Sequence, residues 1–351
     1  MSARMKAAIL YGRGDVRIEQ IDVPRPGPGE VVLRTRVALT CGTDVKVFRR
    51  GYHARMIRPP SVFGHEVSGT VEELGDGVRG LAPGTTVAVG NSAPCGSCPY
   101  CLAGRASLCD DLLFWNGAYA QFVRIPARVV CRNLLPVEEG VGVRGAAMVE
   151  PLACVVRGVE DCGISAGQTV AVVGAGPIGL MLVRLARLRG AQVIAVGRSA
   201  GKLRRALALG ASEALAVGEG GDIAARLRAA SGDGRGPDVV IEAVGRPGTA
   251  EAAVRAVRKG GLVNLFAGCS AGARVAIDAQ RLHYQELTIR STFHHTPESI
   301  RQAYRLIAEG KVDPEAFITG EAPLDELPGV LARLAQGGDG LKTAVLTWGR
   351  E

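Results

Sequence analysis

The chain has 351 residues, 47% hydrophobic and 22% charged, enough for roughly two domains of about 150 residues each. That balance excludes a disordered chain, and no apolar run approaches the roughly 18 uninterrupted residues of a membrane span. Lysine and arginine outnumber aspartate and glutamate 42 to 34, a net charge of +8; the basic residues are scattered along the sequence, so the charge reads as solubility plus one anionic ligand and not as a nucleic-acid footprint.

In chain order, Met1–Arg13 carries a short apolar patch, Ala7–Leu10, without the hydrophobic region and cleavage site of a signal peptide, which leads us to expect a cytoplasmic protein. The first 150 residues hold short β-rich runs punctuated by Gly and Pro: Val31–Val37, Val67–Val71, Thr86–Val89 and Ala120–Ile125. Strands this short and this often interrupted predict a compact, barrel-like β domain. From about Cys154 the texture becomes strand, glycine turn and apolar-periodic helix: Thr169–Val173 with Pro177–Arg189, Gln192–Val196 with Lys202–Leu209, then Val239–Val244 and Gly261–Ala267. That alternation predicts a parallel sheet flanked by helices. Beyond Arg290 a helix is expected over Pro297–Glu309 and a last strand over Thr343–Trp348, returning to the first domain. The expected division is 1–153, 154–289 and 290–351, an α/β protein in which the last segment rejoins the first.

Nine cysteines in a chain without an export signal favour metal binding over disulfides. Four of them, Cys95, Cys98, Cys101 and Cys109, are spaced C-x2-C-x2-C-x7-C within a lobe at 91–111, where Pro and Gly bend the chain so that the thiolates can converge. Four sulfurs close a tetrahedral zinc site with no open position, so the metal there is structural. An iron–sulfur cluster is the rival, but in that pattern the fourth cysteine follows after three residues and precedes proline. Here Asp110 follows.

Gly174-Ala175-Gly176-Pro177-Ile178-Gly179 follows an apolar strand and opens a helix, the context that turns a common glycine pattern into a dinucleotide fingerprint. Gly174 makes the turn, Gly176 admits a pyrophosphate and Gly179 permits close helix packing. A dispersed set, Cys41, His65, Glu66 and Glu150, offers one thiolate, one imidazole and carboxylates, the donors of a catalytic zinc with a free position. Taken singly each is as well read as a core or surface residue.

The order Cys41-Gly42-Thr43-Asp44, Gly64-His65-Glu66, four-cysteine lobe, Glu150-Pro151-Leu152-Ala153 and glycine fingerprint resembles the zinc-dependent medium-chain dehydrogenase/reductase family, over essentially the whole chain. Glu150, where the classical alcohol dehydrogenases carry a cysteine, resembles the sorbitol and threonine dehydrogenase branch. The resemblance implies a GroES-like catalytic domain, a Rossmann domain, an active site in the cleft between them, two zinc ions per chain and a homodimer or homotetramer paired through Rossmann edge strands. The edge expected here is Gly261–Ala267 with Arg274–Ile277. It further implies Cys41 and His65 as direct ligands, Glu66 and Glu150 as carboxylates on the metal or on its water, and Asp44 as the acceptor orienting His65. Thr43 corresponds to the hydroxyl that takes the substrate proton during hydride transfer to nicotinamide.

Two departures stand out. Lys46 replaces a histidine of the family's proton relay, so Lys46, His53 or water completes it. His294-His295 follows Phe293, where the polyol branch tends to place an arginine, and a histidine pair cannot form the bidentate arginine fork; equally, both are loop residues before an N-cap at Thr296. Phe114 and Trp115 are expected either as an apolar wall for the substrate, with Phe293 and His294, or as lobe packing.

An NAD-specific site carries an acidic residue about 20 positions after the fingerprint. Here the second strand ends in Gly197-Arg198-Ser199, with Lys202 beyond. Gly197 is expected to leave room for a 2′-phosphate, Arg198 to offer a charged planar donor and Ser199 a hydroxyl, which predicts NADP(H) over NAD(H); the other reading stacks Arg198 on adenine. The predicted activity is hydride transfer between a secondary alcohol, as in a polyol, sugar alcohol or amino alcohol, and that cofactor. A zincless quinone or enone reductase would lack the Cys41, His65 and Glu150 set, and a non-catalytic binding protein would have no need of it.

Overall fold

The computed structural model describes residues 3–53, 56–218 and 220–349. The chain forms two compact units, 1–153 with 295–351 and 154–294. The second crossing falls at His294/His295 and not at 289/290, because Thr288–Ser291 pairs in parallel with Leu262–Leu265 and so belongs to the second unit's sheet.

The first unit is built mainly on antiparallel strands, with Ile318–Pro323 parallel to Lys342–Leu346. Arg4–Gly12 and Asp15–Asp22 form a hairpin that the sequence reading did not include, joined at its edge by Ser61–Val62. The larger sheet runs Leu134–Pro136, Thr86–Val89, Glu66–Leu74, Val31–Leu39, Lys342–Leu346, Ile318–Pro323, with Phe122–Ile125 also on Val31–Leu39. Leu10, Leu33, Phe63, Val67, Tyr119 and Ile125 fill its core. Register decides where chemistry can gather. Leu39 lies opposite Glu66 on one side and Ala344 on the other. Cys41, just past the end of Val31–Leu39, therefore meets His65-Glu66 at the start of one neighbouring strand and Lys342 at the start of the next.

The second unit is a six-stranded parallel sheet ordered Glu213–Ala216, Gln192–Gly197, Thr169–Val173, Val239–Glu242, Leu262–Leu265, Thr288–Ser291. Counted along the chain this is 3-2-1-4-5-6, whose order reverses beside the first strand, the position at which such sheets bind nucleotides. Val170, Val172, Val193, Ala195, Val240 and Ile241 are buried on both faces, as a helix-covered parallel sheet requires. The expected sheet edge changes. Leu262–Leu265 is paired on both sides, so the sheet edge is the exposed strand Thr288–Ser291, and Arg274–Ile277 is not a strand. Glu213–Ala216, with helix-favouring composition, is a strand because Gln192–Gly197 offers it a ladder.

Candidate active site

Cys41 is the N-cap of the helix Gly42–Arg50. Its sulfur accepts the Thr43 N–H at 3.4 Å, and its own N–H donates to Asp44 Oδ2 at 2.9 Å, so the first turn fixes thiol and carboxylate together. Asp44 is fully buried, and its carboxylate also receives the Tyr119 hydroxyl at 2.6 Å. His65 Nδ1 stands 3.3 Å from the other oxygen, which turns Nε2 away from Asp44. The ligand atoms of Cys41, His65 and Glu66 lie within 4.8 Å of one another. Burial works against the Asp44 carboxylate, but His65, Tyr119 and the Cys41 N–H outweigh it and hold its pKa below the usual range. Burial likewise opposes charging of His65, and Asp44 and the Cys41 sulfur overcome it, raising the imidazole well above its ordinary value.

Glu66 has a partner that the sequence did not suggest. Lys342, itself buried, places Nζ 2.6 Å from Glu66 Oε1, bonds Oε2 as well, and reaches the Thr40 carbonyl at 3.3 Å. Its charged form is favoured because Glu66 and Cys41 outweigh its burial; burial pushes Glu66 upward, and the ammonium offsets this in part. Glu150, on the helix Gly142–Cys162, is outside the triplet but close enough to feel His65, Glu66 and Lys342; burial, opposed by His65, carries its pKa to about 7. Its oxygen lies 3.6 Å from His295 Nε2, which also meets Asn91 Oδ1 at 2.9 Å. Lys342, Tyr119 and Asn91 are the members of the site that sequence reasoning missed, and His295, expected with His294 near the substrate, turns instead to Asn91 and Glu150. The available signal for Lys342 was a lysine opening an otherwise apolar strand.

In the 91–111 lobe the four sulfurs of Cys95, Cys98, Cys101 and Cys109 also lie within 4.8 Å of one another, Cys95 and Cys101 at 4.0 Å. The N–H groups of Ser97 and Cys98 point at Cys95 Sγ at 3.4 and 3.3 Å and lower that thiol to about 6, whereas burial lifts Cys101 to about 12. Four sulfurs this close carry full thiolate charge only around a cation, and their spacing suits tetrahedral zinc. The thiol, imidazole and carboxylate of Cys41, His65 and Glu66 are likewise a zinc donor set.

The fingerprint turn is shaped for a phosphate. Gly174 has φ +113°, and a Cβ at Gly179 would sit 1.7 Å from the Gly174 carbonyl oxygen, so both must be glycine. A Cβ at Gly176 would meet nothing within 4 Å. That open space lies at the N-cap of Pro177–Leu188, whose Pro177 and Ile178 form the first turn; backbone and dipole there suit a pyrophosphate. A Cβ at Gly197 would lie 2.9 Å from Ala175 Cβ, so packing against the fingerprint turn favours glycine at this position. Arg198 is exposed, while Ser199 caps the helix Ala200–Ala208 by accepting the Lys202 N–H at 3.1 Å.

Residues 27–136 match the alcohol dehydrogenase GroES-like domain and residues 177–309 the zinc-binding dehydrogenase family. L-threonine 3-dehydrogenase of Bacillus licheniformis is 32% identical, over 93% of this chain and 94% of its own. Sorbitol dehydrogenase of Homo sapiens is 30% identical, over 91% and 89%. The chain belongs to the zinc-dependent medium-chain dehydrogenase family. A zinc-binding dehydrogenase from Sinorhizobium meliloti 1021, solved bound to NADP, superposes with a TM-score of 0.89 at 33% identity, covering 98% of this chain and all of that one. The protein is thus a zinc-dependent, NAD(P)-linked alcohol dehydrogenase with a GroES-like and a Rossmann part.

The dehydrogenase's remaining candidate residues separate into two groups. Trp115 is core and not cleft wall: it is 5% exposed and its Nε1–H donates to the Gly90 carbonyl at 2.8 Å. Phe114 is half-buried in the small hairpin formed with Ser92–Ala93. His53 is engaged in a local turn, its Nδ1 accepting the Met56 N–H at 3.2 Å. Thr43 and Lys46 lie one helical turn apart, Thr43 half-buried and Lys46 exposed. Phe293 is 42% exposed and its ring packs against His294 at 5.5 Å. His294 has φ +65°, a left-handed backbone uncommon for a histidine, and His295 turns inward to Asn91. The expected cap at Thr296 is present as a capping box with Ser299.

Proposed function

We propose that this dehydrogenase oxidises the secondary alcohol of a polyol, sugar alcohol or amino alcohol with NADP in preference to NAD, using one catalytic and one structural zinc per chain. The observation that carries the reading is the close triplet of Cys41, His65 and Glu66, whose imidazole and carboxylate are buried and tied to Asp44 and Lys342. Cys41 and His65 with either Glu66 or Glu150 would hold the catalytic ion, leaving a position for substrate, and the four lobe cysteines would hold the structural one. Bound there, zinc supplies Lewis acidity and the nicotinamide a hydride acceptor.

The chain's own residues do the rest. Asp44 fixes the His65 ring through Nδ1, and Lys342 keeps Glu66 from adding an uncompensated charge beside the thiolate. Thr43, held at the helix start, receives the substrate hydroxyl proton and hands it towards Lys46 or water. Trp115 drops out of the substrate wall, leaving Phe114, Phe293 and His294 as its candidates. The threonine and sorbitol dehydrogenase relatives support the substrate class. NADP preference is supported by the absence of a carboxylate at the end of Gln192–Gly197, by exposed Arg198, and by the Sinorhizobium protein having been solved with NADP. Homo-oligomers would pair through the exposed edge Thr288–Ser291.

The test is steady-state kinetics over diols, sugars, polyols and amino alcohols with both cofactors. A higher kcat/KM with NADP(H) is expected, reduced about tenfold by Arg198→Leu; a wild-type preference of about tenfold for NAD(H) would return Arg198 to stacking on adenine.

A further inference from the structure

Six basic residues scattered through the sequence of the second unit come together at one place in its fold. A groove of about 980 Å³ is lined by Arg228, Arg235, Arg255, Arg258, Lys259 and Arg281, facing only Asp233, Asp238 and Asp278. The acids are already engaged. Asp233 pairs with Arg235 at 2.6 Å, and Asp238 pairs with Arg258 at 2.7 Å and accepts the Thr169 N–H at 2.7 Å. Asp278 caps the short helix Ala279–Tyr284 by accepting the Arg281 N–H at 3.0 Å. Among the described residues, Arg228, Arg255, Lys259 and Arg281 make no ion pair with a carboxylate.

Two of these cations are held in place by backbone oxygens. Arg228 Nη1 donates to the Arg255 carbonyl at 2.7 Å, and Arg281 donates through Nε to Val254 at 3.2 Å and through Nη2 to Val257 at 2.9 Å. Both thereby cap the carbonyl end of the helix Pro247–Ala256, with part of each guanidinium left over for another acceptor. Burial and the nearby Arg228 charge lower the pKa of Arg281, and the Asp278 carboxylate opposes them only in part.

The groove is separate from the dinucleotide site. Thr169 opens the strand Thr169–Val173 and Asp238 precedes Val239–Glu242, so the groove lies at the N-terminal ends of the strands. The fingerprint turn leaves the other end, about 17 Å away along a strand of this length.

We propose that this groove is a second anion site, which binds a small polyvalent phosphate. Anchored arginines offer planar paired donors that match phosphate oxygens, and the exposed side chains of Arg255 and Lys259 add further charge. The groove has the volume of a small-molecule pocket, and its charge is confined to a concavity, unlike the extended stripe that tracks a nucleic-acid backbone.

The experiment is calorimetric titration of the zinc-loaded full-length protein with sodium tripolyphosphate at low salt, after the dinucleotide site has been saturated with NADPH or NADH. Saturable one-to-one binding is expected, weakening as salt rises. The double variant Arg255→Gln/Lys259→Gln should weaken it about tenfold or more while leaving the melting temperature and kcat unchanged, because neither side chain makes a hydrogen bond among the described residues. ATP binding equal to tripolyphosphate would assign recognition to the phosphates alone, and tighter ATP binding would assign a nucleoside phosphate; both support the site. Loss of binding once the dinucleotide site is filled, equal affinity in the double variant, or equally tight binding of citrate would overturn it.

Discussion

The four-cysteine lobe and the cluster at Cys41 are assembled by opposite means. The lobe at Cys95, Cys98, Cys101 and Cys109 is a local object: its N–H to sulfur bonds span at most 14 positions, and three of its four thiols are half-exposed. The cluster at Cys41 is a product of the sheet. Tyr119 reaches Asp44 across 75 positions and Lys342 reaches Glu66 across 276, and all four are buried. A local cluster can take up metal as soon as its loop bends, whereas the dispersed cluster has no geometry until the antiparallel strands have found their register. The lobe should therefore respond to damage as a stability element and the dispersed cluster as a functional one.

Four single variants and one double variant test that contrast. Cys41→Ser should leave a folded protein that still binds dinucleotide in a fluorescence titration, while turnover falls by about a thousandfold or more, the several kcal/mol expected of a catalytic metal; wild-type turnover would remove Cys41 from the site. Lys342→Met should cost about 3–5 kcal/mol in denaturant unfolding, because it strands the Glu66 carboxylate in the core. Adding Glu66→Leu to that variant should restore much of the stability without restoring activity, which separates the pair's structural cost from its chemical role. Cys98→Ser should lower the melting temperature by several degrees, about 2 kcal/mol, with kcat per folded molecule close to wild type; a variant that is stable but inactive would contradict the division between the clusters. The smallest effect belongs to Lys46→Ala, expected to shift the pH–rate profile while changing the maximal rate by less than about tenfold, as befits an outer relay group. An unchanged profile would take Lys46 out of the proton path.

The second unit offers its own lesson about substitutions chosen from sequence. Gly197→Asp looks like the direct way to install an NAD-type carboxylate, yet the Cβ of any residue at 197 would press on Ala175 Cβ at 2.9 Å. Arg198 is exposed and can be changed without that conflict, so cofactor preference is better probed there.

Features that depend on spacing along the chain were legible before any fold was known. The four-cysteine lobe, the strand-turn-helix around Gly174–Gly179, the alternation that becomes a 3-2-1-4-5-6 parallel sheet and the cap at Thr296 are short-range patterns, in which backbone geometry ties residue type to position. The tertiary structure alone decided which distant residues share a site. Lys342 reaches Glu66 because Ala344 and Glu66 both stand opposite Leu39. Trp115 became core, Glu213–Ala216 became a strand, and Thr288–Ser291 took the sheet edge because a neighbouring strand or an apolar interior was there to receive them. Scattered arginines became a single groove for the same reason. Local propensity is weaker than a completed hydrogen-bond ladder or a filled core, and neither exists until strands far apart in sequence have met.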